Sequence, residues 1–130
     1  MRHLDTDTVI HLLRGSADAA ERLKAALPAV GISALVLAEL TYGALASQHR
    51  VEYLRRLDHF LPSVDVVPFD RAAAQAYANI RLSLRHRGRP IGDIDTLIAA
   101  VAVAAKATLV THNSKHFQQV EGLILEDWLL

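Results

Sequence analysis

Apolar positions follow two rhythms along this chain. Short apolar bursts, broken off by polar residues or glycine, read as strands over residues 1–4, 30–32, 64–69, 108–111 and 123–125. Between them apolar residues recur at helical spacing, as Val51, Leu54, Leu57 and Leu61 do over residues 49–61. Start and stop signals frame the other helices. Thr6 or Asp7 is placed to cap a short one over 8–14, which Gly15 closes. Ser16 opens a second, to about Leu27, with Asp18 and Glu21 near its positive end. Ser33 opens a third, to about Ala46. Asp70 opens a long one over 71–87, ended by Gly88 and Pro90. Asp93 opens an alanine-rich one that runs to Lys106. Short apolar strands separated by helices predict an α/β domain, with a short, mostly parallel central sheet flanked by helices. Such sheets bind ligands at the carboxyl ends of their strands. Asp5 and Asn113 each fall just after one.

Composition bounds this picture. The 130 residues make one ordinary domain, and at 52% hydrophobic they suffice for a real core. Aromatic residues are only 5%, so that core must be mostly Leu, Ile, Val and Ala. No run reaches the roughly 18 apolar residues of a membrane span, and Asp5 and Asp7 interrupt any signal-peptide layout. There is no cysteine, which excludes disulfides and thiolate metal sites and fits a reducing cytoplasm. The 14 basic residues balance the 14 acidic ones, so no overall basic surplus advertises nucleic-acid binding. The charge is unevenly spread, however: Arg81, Arg85, Arg87 and Arg89 crowd one segment around His86.

Candidate chemistry rests on acids set in apolar surroundings. Asp5 closes the first strand, Glu39 interrupts the run Ala34-Leu35-Val36-Leu37-Ala38, and Asp93 and Asp95 precede Leu97-Ile98-Ala99-Ala100-Val101. An ionised carboxylate taken from water needs a cation or a metal, and none of these has a basic neighbour in sequence. If the fold brings them together, their repulsion calls for a hard divalent ion, and oxygen ligands suit Mg²⁺ or Mn²⁺. Each acid has a plainer role as well. Asp5 or Asp7 can cap a helix, and Asp93 can cap the one it precedes. Asp93 and Asp95, two apart, do not share a helix face, so one of them at most points inward. Asn113 follows Thr111 at the end of a strand, as a ligand or as an ordinary turn residue. His112 and His116 have the four-residue spacing of a helical zinc pair, without a third nitrogen ligand in view. Arg85, Arg87 and Arg89 could hold a nucleic-acid backbone or merely complement a helix end.

Taken in order, the motifs resemble those of PIN-domain ribonucleases, specifically the VapC toxins of bacterial type II toxin–antitoxin pairs. Leu4-Asp5-Thr6-Asp7 is similar to the family's LDTN or LDTD. Ser33 through Glu39 to Gly43 is similar to its S-x-x-x-x-x-E-x-x-x-G segment. Gly88 to Ala100 resembles GRPIGxxDxxIAA, Leu109 to Phe117 resembles LVTxNxxxF, and Glu126-Asp127-Trp128 matches an EDW ending of one branch. The resemblance implies a single PIN domain over residues 1–130. It also implies a Mg²⁺- or Mn²⁺-dependent endoribonuclease with Asp5, Glu39 and Asp95 as catalytic and metal-holding acids. Asn113, Asp93, Asp7 and Thr111 are additional or outer candidates. Where many members have proline this chain has Asp93, and where many have an acid it has His116. The implied partners are a VapB-like antitoxin, a second copy of the chain, and an RNA substrate. The EDW branch points to tRNA, with the initiator tRNA anticodon stem-loop as the specific expectation.

Two other readings compete. Asp5-Thr6-Asp7-Thr8-Val9 also fits the start of a haloacid-dehalogenase-like phosphatase, with Asp5 as nucleophile. That family's later GDxxxD pair is missing, because Leu97 stands where its last acid belongs. Alternatively the domain is a non-catalytic interaction module.

Overall fold

The apolar bursts form five strands, β1 (Arg2–Leu4), β2 (Val30–Ser33), β3 (Asp65–Val67), β4 (Thr108–Val110) and β5 (Ile124–Glu126), in a computed structural model that describes residues 1–130. All four neighbouring pairs are parallel, and the order is β3-β2-β1-β4-β5. The chain builds one half of the sheet outward from β1 and then returns to build the other half from β4. The β1/β4 seam is therefore the topological switch point, where the carboxyl strand ends splay open for a ligand. Asp5 and Thr111 are the residues that leave those two ends. The Asp5 N–H donates to the Val110 carbonyl oxygen at 3.0 Å.

Seven helices cover the sheet: α1 (Thr6–Leu13), α2 (Ala17–Ala26), α3 (Ala34–Ala46), α4 (Arg50–Phe60), α5 (Arg71–His86), α6 (Asp93–Ala104) and α7 (Ser114–Phe117). The core of Leu4, Val9, Ile32, Val36, Leu109 and Val110 is wholly buried between sheet and helices. Gly31 lets β2 lie close to β3, since a Cβ there would meet Val67 Cγ2 at 3.0 Å and the Asp65 carbonyl oxygen at 3.2 Å. Ser16, Ser33 and Asp70 accept backbone N–H bonds as the helix caps expected of them.

Several expectations need correction. Neither Thr6 nor Asp7 caps α1. Asp5 does, because it is still extended and tied to β4, and its Oδ1 accepts the Thr8 N–H at 2.9 Å. Asp93 does not cap α6. Gly92 holds that place, and the Thr96 hydroxyl donates back to the Gly92 carbonyl oxygen at 2.9 Å. Helix α6 also stops before Lys106, which has a left-handed φ of 55°. Strand β3 ends at Val67, because Pro68 has no N–H to extend the ladder. The expected parallel sheet holds for every neighbouring pair.

The EDW ending is a structural lock on β5. Trp128 is buried, and its indole N–H donates to Glu126 Oε1 at 2.7 Å. Arg2 Nε donates to Glu126 Oε2 at 3.0 Å. Burial pushes the Glu126 carboxyl up, but the Trp128 indole and the Arg2 guanidinium together hold it below its ordinary value.

Candidate active site

Asp5 is the buried member of the site, 6% exposed. Its carboxyl accepts the Thr8 N–H at 2.9 Å, with the Thr111 and Thr8 hydroxyls near it; the Thr8 hydroxyl donates to the Val110 carbonyl oxygen at 3.2 Å. Burial pushes the Asp5 carboxyl above its ordinary value; those hydrogen bonds pull it back in part, and the nearby Asp7 charge adds to the push. No lysine or arginine pairs with Asp5, Glu39, Asp93 or Asp95.

Two threads lead outward from Asp5. On one side the adjacent Thr6 donates its hydroxyl to Glu39 Oε1 at 2.6 Å, joining the start of α1 to the middle of α3. On the other, Thr111 accepts the Asn113 N–H at 3.0 Å. Asn113 opens α7, which carries His116, and His116 Nε2 lies 2.9 Å from Asp95 Oδ2 at the start of α6. Residues 5, 39, 95 and 113 thus surround the carboxyl end of the β1/β4 seam. Their burial differs from expectation. Only Asp5 is buried; Asp95 is half-buried, and Glu39 and Asp93 are exposed. Helix α3 seats Val36, Leu40 and Ala44 in the core and turns Glu39 to solvent with Ala38 and Tyr42, the last 74% exposed.

As the side chains lie, no three acids or histidines close on a single point. Glu39 leans on Thr6 and Asp95 on His116. The donor chemistry nevertheless fits a hard cation: a buried carboxyl without a basic partner, two further carboxylates, and an amide oxygen on Asn113.

Other candidates fall elsewhere. Asp7 is exposed, and its backbone carbonyl oxygen lies 2.8 Å from His11 Nδ1. His112 and His116 do not form a zinc pair, since His112 Nδ1 sits 2.9 Å from Asp127 Oδ2 while His116 faces Asp95. Of the arginines, Arg87 donates to the Gln119 carbonyl oxygen and is committed to a loop. Arg85 and Arg81 wall a groove of about 300 Å³ floored by Leu84, Pro90 and Ile91, which reaches Asp93 and Thr96. Arg81 also lies against Tyr77, donating to its hydroxyl at 2.8 Å. No local signal marked Thr6, Arg81 or His116 for these contacts, because their partners come from other elements.

This arrangement matches known proteins across the chain. Residues 3–123 fit the model of the PIN domain. The chain belongs to the PIN-domain family, in its VapC branch. The PIN domain here is 36% identical over 126 residues to a tRNA(fMet)-specific endonuclease VapC from Shigella flexneri, covering 96% of each chain. It is 40% identical over 99 residues to Ribonuclease VapC2 of Rickettsia felis, covering 76% of this chain and 74% of that one. In three dimensions it superposes with a TM-score of 0.94 on the VapBC2 structure from Rickettsia felis bound to a promoter DNA fragment, at 33% identity and 98% coverage of both chains. DNA-bound VapBC from Salmonella typhimurium gives the same TM-score at 31% identity, covering 98% of this chain and 97% of that one. A phosphatase of the haloacid-dehalogenase type is thereby set aside. No helix is long and apolar enough to cross a membrane.

Proposed function

We propose that this PIN domain is the toxin of a VapBC-type pair, a divalent-metal-dependent endoribonuclease that cuts tRNA. The relatives' names support the RNA substrate, and the tRNA(fMet) specificity of the Shigella relative points to initiator tRNA. One observation carries the catalytic reading: Asp5, buried at the switch point with no cation beside it, is electrostatically incomplete. A structural cap would serve equally well as a neutral residue. A negative one held there despite its desolvation cost suits a site that waits for positive charge.

Asp5, Glu39 and Asp95 would hold the ion, with Asn113 as an oxygen donor beside them. Mg²⁺ is the proposed occupant, with Mn²⁺ as an alternative. The bound ion supplies Lewis acidity toward the scissile phosphate and lowers the pKa of a water. The chain's own residues do the rest. Thr111 and Thr8 fix the orientation of the Asp5 carboxyl. Thr6 holds Glu39 at the rim, and Arg81 and Arg85 offer positive charge to the RNA backbone beside the acids. Arg87 and Arg89 remain proposed backbone contacts, with Arg87 reduced by its tie to Gln119.

An antitoxin partner is supported by an apolar groove of about 170 Å³ between α1, α3 and α4, lined by Ile10, Leu13, Leu40, Tyr53 and Leu57 and bordered by Glu39. A segment seated there would lie against Glu39. Exposed Tyr42 and Leu45 on α3 also suit contact with such a partner or with a second copy.

The test is cleavage of a total tRNA pool by the purified protein with and without Mg²⁺. Cutting of initiator tRNA that chelator abolishes is expected. An intact tRNA pool beside a cleaved messenger RNA would remove the substrate assignment. Equal cleavage in chelator would remove the metal. A non-catalytic module predicts that Asp5→Asn leaves toxicity unchanged, whereas the nuclease reading predicts its loss with antitoxin binding kept.

A further inference from the structure

His116 is placed differently from His11 and His112, the other histidines that follow β1 and β4. Its backbone N–H donates to the Asn113 carbonyl oxygen at 3.1 Å, which fixes α7 directly behind Thr111. Its ring meets the buried Phe117 edge-on, with centroids 5.5 Å apart at 88°. That leaves Nε2 turned inward, shut off from water and without a well-formed hydrogen bond, although Asp95 Oδ2 is only 2.9 Å away. A buried ring nitrogen beside one of the proposed metal-holding carboxylates, with no other partner, is placed to share an ion with that carboxylate when it carries no proton. By contrast, His112 has Asp127 Oδ2 at 2.9 Å in hydrogen-bonding geometry, and the His11 ring has the Asp7 carbonyl oxygen at 2.8 Å.

We infer that His116 is a nitrogen donor to the ion held by Asp95, converting an otherwise all-oxygen set into a mixed one and shifting its preference from Mg²⁺ toward Mn²⁺. The inference rests on the metal-dependent reading above and deepens it. Mg²⁺ is a hard ion that seeks oxygen and sheds water reluctantly. First-row transition ions accept imidazole more readily, so replacing an oxygen donor by imidazole at one corner discriminates between two ions of similar charge and coordination number. A histidine that merely pairs with Asp95 would orient that carboxylate without touching the ion. The two roles are separable by spectroscopy.

The experiment loads the full chain, purified free of metal, with Mn²⁺ and records electron spin-echo modulation at the bound ion. In parallel, Mn²⁺ and Mg²⁺ affinities are measured by calorimetry, without RNA. Modulation from a directly coupled nitrogen is expected in the natural protein. It should change with histidine labelled by the heavy nitrogen isotope, and vanish in His116→Gln and His116→Asp. Mn²⁺ affinity should fall roughly tenfold in His116→Gln, the size of effect typical of losing a supporting group at a metal site. In His116→Asp the preference should turn back toward Mg²⁺. Bound Mn²⁺ with no nitrogen coupling would overturn the inference while leaving the metal-dependent reading intact. Coupling that persists in both variants would assign the nitrogen elsewhere and overturn it equally. Failure of the natural protein to bind Mn²⁺ at all would remove both. The spectrum of the natural, labelled protein still decides whether a histidine binds the ion if one variant fails to fold.

Discussion

Helix α6 buries Thr96, Ile98, Ala99, Ala100, Val101 and Ala102, whereas α3, similarly rich in Leu, Val and Ala, buries only Val36, Leu40 and Ala44. Both carry a candidate catalytic acid. Helix α6 packs against α5 and against the sheet at β2 and β4, and its alanines allow that close approach. Helix α3 meets α1, α4 and the sheet along one stripe and leaves Tyr42 and Leu45 in solvent. The same kind of composition therefore has two meanings. In α6 it is spent on folding. In α3 the uncovered part is surplus to folding and available to a partner, with Glu39 set among it.

The widest separation is expected from charges placed on the two helices. Ala100→Asp puts an unpaired carboxylate where no water reaches, at a cost of several kcal/mol against a total stability of about 5–15 kcal/mol. Urea titration should show no cooperative transition. Leu45→Asp should change stability by no more than about 0.5 kcal/mol yet weaken antitoxin capture. A folded Ala100→Asp, or a Leu45→Asp that unfolds, would break the comparison.

Next come the acids. Asp95→Asn should lower RNA cleavage on the order of 10²–10³-fold, the range seen when a transition-state charge stabiliser is removed. Thr6→Val takes away only the hydroxyl that holds Glu39, and a loss of about tenfold is expected, as for other supporting groups. If the valine variant cleaves at the natural rate, Glu39 needs no help from α1.

Asp5 links the two helices through the sheet and gives a smaller, opposite effect. Its carboxyl is raised in the folded state, so the protonated form is the one that favours the fold. That contribution is full below the unfolded pKa and is lost as pH rises through the higher folded value. Above that folded value the ionised group weighs against the metal-free protein. Asp5→Asn keeps a capping oxygen for the Thr8 N–H, so its thermal midpoint should rise in chelator while activity falls. Added Mg²⁺ should stabilise the natural protein and not the variant. A lower midpoint for Asp5→Asn in chelator would contradict the assigned strain.

The smallest effect concerns α5, which backs α6. Arg85→Ala should weaken RNA binding and reduce the salt dependence by about one counterion. An unchanged salt slope would take Arg85 off the RNA path.

Much of this was legible residue by residue. The caps Ser16, Ser33 and Asp70 act within three residues of themselves, so their sequence context was sufficient. The order of strands and helices followed from periodicity and from Gly and Pro punctuation. Asp5 was legible as an acid after a strand, but not as the cap of α1, because that depends on β4 holding its backbone extended. Glu39 was read as buried because its neighbours are apolar, and a one-dimensional pattern does not say which apolar face goes uncovered. Asp93 was read as a cap, yet Gly92 ends the extended segment one residue earlier.

The chain by itself determined the parallel α/β plan and the family, and singled out Asp5, Glu39 and Asp95 as candidate acids, since each follows from short-range periodicity or from motifs read in order. Only the tertiary structure decided that Asp5 alone is desolvated, that Glu39 leans on Thr6, and that His116 faces Asp95. Those facts arise from contacts between residues 21 or more positions apart, as Asp95 and His116 are. Burial and pairing at such separations are set by how helices seat on the sheet, and local sequence does not encode that seating.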